Sequence, residues 1–205
     1  MPLYPFEGLA PTVHESAFIA PNATLVGDVI VEEGGSIWHG AVVRADYSPV
    51  VIRRGANVQD GAVLHGPPGL TTDVGPGATV AHNCVAHGAI LGKECLVANG
   101  SIVLDGAEIG DHALIAAGSV VAAGMTITPG MLAEGAPAVV KRPVAGSPAE
   151  FWVVANPPAY AELAQRHRDG VEWIRDSPSL RFWRRLHELS ALCNWRQNRR
   201  RESQG

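Results

Sequence analysis

Cysteine is scarce in this chain, with only Cys84, Cys95 and Cys193 among 205 residues. Their spacing makes neither a zinc ribbon nor an even disulfide framework, which favours a reducing compartment over a secreted one. Long hydrophobic runs are missing as well: no stretch approaches the roughly 18 apolar residues of a membrane span. The opening MPLYPFEGLAP lacks the basic and then apolar segments of a secretory signal. The expected setting is therefore cytoplasmic and soluble, without membrane association. Charge is sparse too, at 18% of residues with a formal net charge of −4, which argues against a globally basic nucleic-acid binder.

Glycine and aliphatic residues are abundant, and their order is periodic. Gly is present at 23 positions and Pro at 15, yet 46% of the residues are hydrophobic, too many for a disordered low-complexity chain. Aliphatic residues recur every six positions: Val13, Ile19, Leu25, Val31, Ile37 and Val43, then Ile52, Val58 and Leu64 after a slip of three. A slip of four leads to Val74, Val80 and Ala86, and a shortened step to Leu91, Val97, Val103, Ile109, Ile115, Val121 and Ile127. A period of six suits neither a helix nor a lone alternating strand. It suits a chain winding a triangular prism, with one short strand and one turn per hexad and three hexads per coil.

The hexads fill a β-helix domain over residues 10–143, of about six to seven coils. Residues 144–176 read as a C-terminal helix packing back on the prism and beginning near Pro157 or Pro158. Residues 177–205 read as an additional amphipathic helix, with Leu180, Trp183, Leu186, Leu189 and Leu192 on one side, and a basic tail. Ten of the sixteen basic residues lie from Arg166 onward, a distribution expected of a charged terminus or of a helix that meets a protein partner.

The hexad register assigns every residue to a face. Arg44, His65 and His87 each follow an anchor on one face and so form a column; Asp60, His82 and Asn99, each two places after an anchor, form a second. Coils about 4.8 Å apart let two stacked imidazoles converge on one ion through bonds of about 2.0–2.1 Å. His82 lies on a different face, so a neighbouring copy of the prism could supply it.

The ordered set R-x-D, N-x-Q-D-G-x-x-L-H and H-x-x-x-x-H, from Arg44 to His87, with the closing GAPAVVKRPV, resembles the γ-class carbonic anhydrase family of the hexapeptide-repeat superfamily, including its phenylacetate-pathway branch. The resemblance covers residues 10–165. It implies a mainly β fold, a left-handed parallel β-helix followed by C-terminal α-helices, and a homotrimer. In that trimer His65, His82 and His87 would hold Zn2+, or Fe2+ or Co2+, between subunits. It also implies a carbonate dehydratase, a lyase in which metal-bound hydroxide attacks carbon dioxide to give bicarbonate. Gln59, Asp60 and Tyr160 carry over as catalytic residues, Asn99 as a substrate contact, and Arg44 with Asp46 as an intersubunit ion pair. The loop GPPGLTTD after His65 has no glutamate, so the acidic proton shuttle of the founding branch has no counterpart.

Two other functions stay open on the same residues. A metal-dependent coenzyme A thioesterase or acyltransferase would use the scaffold on a thioester carbonyl. A non-catalytic trimeric scaffold would keep the metal for stability and use the C-terminal helix to meet a partner.

Overall fold

In the computed structural model, which describes residues 3–171, the chain forms a parallel β-helix closed by one α-helix. The expected left-handed prism is therefore the observed architecture. One face stacks seven parallel strands from Phe18–Ile19 to Met131–Glu134, and the antiparallel strand Val139–Pro143 closes it. The other two faces are joined into a single sheet by the long strands Thr24–Val31 and Val42–Ile52, which turn a corner without breaking. The prism also starts earlier than residue 10, because Leu3–Tyr4 pairs with Leu25 and Val26.

Burial explains the period. Val43, Leu64, Ala86, Val103 and Val121 pair in register down one face, and Val58, Val80, Val97 and Ile115 down another; all are fully buried. Each such aliphatic side chain contributes about 1.5–3 kcal/mol of transfer free energy. A one-residue slip would move a whole strand's core set outward, so the slips in spacing are taken up in corners. On the outside, Arg53 links coils by pairing with both Glu32 and Asp73.

The helix, α1 (Pro148–Gly170), begins about nine residues before the expected start at Pro157 or Pro158. The reason lies in Ser147-Pro148-Ala149-Glu150, a capping box with proline at the first helical position. The Ala149 N–H donates to Ser147 Oγ at 3.3 Å, and the Gly146 N–H to Glu150 Oε2 at 2.8 Å. Pro157 and Pro158 lie inside the helix instead. The chain leaves the last coil at Val144, whose N–H donates to Gly130 O, so α1 runs back toward the first coil. There His167 packs against Phe18 and Trp38, and Arg168 donates to Ser16 O at 2.5 Å. The expected amphipathic helix and basic tail at 177–205 lie outside the described residues. Among the described residues no helix is long and apolar enough to cross a membrane.

Candidate functional site

The register brings Arg44, His65 and His87 together as the hexads require: Arg44 pairs with His65, and His65 with His87. His65 Nδ1 lies 2.9 Å from His87 Nε2. Their outer nitrogens are both engaged, His65 Nε2 with Asp46 Oδ1 at 2.9 Å and His87 Nδ1 with Asp105. An ionised carboxylate only accepts, so each outer nitrogen is the N–H, and when both rings are neutral the two facing nitrogens are acceptors. Two lone pairs at that separation repel unless a proton or a cation lies between them. This donor set fits a metal: imidazoles backed by carboxylates are the usual arrangement at metal-binding histidines.

The backbone under the pair is clamped. Thr72, fully buried, donates its hydroxyl to His65 O at 2.6 Å and accepts from the Gly88 N–H at 2.8 Å. Asp46 reaches His65 because the slip of three after Val43 falls within the corner-turning strand Val42–Ile52. Arg44 and Asp46 pair within the chain at 2.5 Å, since two residues of extended strand put both side chains on the same side. Burial works to raise the Asp46 carboxyl, but the hydrogen bonds from Arg44 and His65 outweigh it and hold it below its ordinary value.

His82 stands on the other face. It precedes a tight corner where Gly61, Asn83 and Gly100 stack with positive φ, a conformation open to Gly and Asn. His82 Nδ1 meets Asp60 Oδ2 at 3.0 Å, and its Nε2 lies 3.2 Å from the Tyr160 hydroxyl. Trp38 packs edge-on against the Tyr160 ring at 5.2 Å and fixes it. Burial, and after it the Asp60 charge, push the Tyr160 phenol above its ordinary value, so it stays a hydrogen-bond donor. Within one chain the described residues hold no cluster of three histidine, cysteine or carboxylate ligands. His82 therefore does not join His65 and His87 in the same chain.

Beside His82, α1 and the prism enclose a cleft of about 470 Å³ lined by Gln59, Asn99 and Tyr160 among others. The expected site residues thus form two groups, one around His65 and His87 and one around His82. Sequence reasoning missed Asp105 and the cleft face of α1, Trp152 and Asn156. Asp105 had a signal: it lies two places after Val103, the next anchor in the column that carries His65 and His87.

Residues 88–123 match the family described as bacterial transferase hexapeptide (six repeats). Carnitine operon protein CaiE of Citrobacter koseri is 42% identical over 168 residues, covering 82% of this chain and 85% of that protein. A crystal structure of a candidate acetyltransferase from Bacillus cereus is 39% identical, with TM-score 0.79 over 82% of this chain and 96% of that one. A hexapeptide transferase family protein from Anaplasma phagocytophilum is 32% identical, with TM-score 0.75, covering 80% and 96%. These relatives overturn the expected carbonate dehydratase: they carry transferase names, or that of CaiE, and point to transfer rather than to a carbon dioxide lyase. With such identity across most of both chains, this chain belongs to the hexapeptide-repeat transferase superfamily.

Proposed function

We propose that the protein is a metal-dependent acyltransferase acting on a coenzyme A thioester, and that it works as a homotrimer. Its divalent cation, Zn2+ or alternatively Fe2+ or Co2+, would be held by His65 and His87 of one subunit with His82 supplied by a neighbouring copy. The observation that carries this reading is that each of the three imidazoles has one ring nitrogen on an aspartate, while the other nitrogens of His65 and His87 face each other at 2.9 Å and that of His82 meets the Tyr160 hydroxyl at the cleft. Such a cation supplies Lewis-acid polarisation of the thioester carbonyl.

The chain's own residues do the rest. Asp60 orients His82, and the Tyr160 phenol stands beside it as a hydrogen-bond donor at the end of the cleft. An acceptor amine or hydroxyl attacks the carbonyl carbon, the C–S bond breaks, and the departing thiolate takes up the proton that the acceptor gives up. The transferase names of the relatives support this class of reaction.

The test pairs elemental analysis of anaerobically purified protein with release of free coenzyme A thiol in the presence of amine and hydroxyl acceptors. One metal per chain is expected, and thiol release that chelation and His82→Ala both abolish. Full metal with no thiol release would leave a trimeric scaffold that only retains the ion, and acyl transfer would be wrong.

A further inference from the structure

The cleft beside His82 has a shape and a polarity gradient of its own. Gln59, Ala81, Ala98 and Ala116 follow the paired anchors Val58, Val80, Val97 and Ile115, so they stack along the prism as a ladder that floors the cleft. Opposite them, Ala149, Trp152, Asn156 and Tyr160 fall on one face of α1 at helical spacing. One end is polar, with Gln59, His82 and Tyr160; the other is apolar, with Leu114, Ala116 and Ala149. Among the described residues no Asp, Glu, Lys or Arg lines it.

Gln59 gives a second, independent observation. Its side chain is 2% exposed, and its amide nitrogen donates to Asn57 Oδ1 at 3.0 Å. Its carbonyl oxygen has no hydrogen-bond partner among the described residues, in a side chain that lines the polar end of the cleft. That oxygen is not sealed off but open to the cleft, where it can accept a hydrogen bond from a group that enters.

We propose that this cleft is the acyl-chain pocket of the enzyme, an inference that rests on the acyl-transfer reading above. The thioester head sits by Gln59, His82 and Tyr160, and an uncharged linear chain extends along the alanine ladder toward Trp152. From Ala81 to Ala116 the ladder climbs two coils, about 10 Å at about 4.8 Å per coil, the length of roughly eight carbons. Alanine at each step leaves the volume that a chain fills, and any larger side chain would block it. A chain ending in a charge would meet no counter-ion among the described residues at the apolar end.

The test is a series of acetyl-, butyryl-, octanoyl- and dodecanoyl-coenzyme A compared by kcat/KM in the intact protein. Octanoyl is expected to exceed acetyl by at least about tenfold, from the methylenes it buries. Ala116→Leu, which fills the far end, and Trp152→Ala, at a half-exposed side chain whose loss spares the core, should each lower the octanoyl-to-acetyl ratio by about tenfold. A flat profile, or a ratio that neither variant changes, overturns the pocket. If no thioester releases thiol, acyl transfer itself has failed, and calorimetric titration with octanoyl and acetyl analogues carrying an amide in place of the thioester decides the cleft alone. Tighter octanoyl binding that Ala116→Leu weakens supports it; equal binding of the two analogues overturns it.

Discussion

The Tyr160 hydroxyl lies 3.2 Å from His82 Nε2 and ties the one helix of the described chain to a corner of the prism 78 residues earlier. The contact gives His82 a partner on each nitrogen, Asp60 on one side and Tyr160 on the other. Trp38 holds the Tyr160 ring from the prism side, so the phenol's position does not depend on the hydrogen bond.

Tyr160→Phe separates positioning from chemistry. The ring keeps its packing on Trp38, and His82 Nε2 loses a competing donor, so metal content should be unchanged. Acyl transfer should fall by about 10²-fold, the usual cost of one lost donor at a reacting oxygen. Metal analysis beside thiol-release kinetics checks this; a parallel fall in both would make Tyr160 a structural residue only.

Asp105→Ala should weaken metal binding by about 10- to 100-fold while leaving the fold intact, because the carboxylate only orients His87. Competition with a chromophoric chelator measures the affinity, and circular dichroism the fold. Unchanged affinity would mean that His87 is not a ligand.

The intersubunit arrangement makes its own prediction. His65→Ala and His82→Ala each remove a ligand from every site of a homotrimer. In a mixed trimer of the two variants, one interface joins an intact His65 and His87 pair to an intact His82. Co-expressed variants, separated by distinct affinity tags, should recover one metal per mixed trimer, while either variant alone holds none at that affinity. No recovery would place the three histidines in some other grouping.

Much of this was legible in the hexads. The period gave the faces, and the faces gave the His65–His87 column and the separate place of His82, because stacked coils repeat a residue's position with little freedom. The helix start was not read correctly: two prolines looked like a beginning, whereas the Ser147 cap and Pro148 held the signal. The R-x-D motif named Arg44 and Asp46 as a pair, and they do pair in the chain. The cleft could not be read at all. It exists only where α1 returns over the alanine ladder, and no local pattern states how far a helix stands from the strands it covers.

The buried thiols predict how stability changes at high pH. Burial, with the Asp111 charge second, pushes the Cys95 thiol from 9.0 up to about 12, and burial moves Cys84 in the same direction. Between pH 9 and about 12 an unfolded chain gives up the Cys95 proton while the folded chain keeps it. The native state then binds more protons than the unfolded one, so stability must fall as pH rises through that window. Urea midpoints measured from neutral pH upward should decline above pH 9 in a Cys193→Ser background, and Cys95→Ala should flatten the decline while costing stability at neutral pH through the lost side-chain packing. In the same background neither Cys84 nor Cys95 should react with a thiol reagent before unfolding, since both are buried in the prism. A native protein that reacts fully at neutral pH, or an alkaline decline that Cys95→Ala leaves as steep as before, would show that the prism does not shield this thiol.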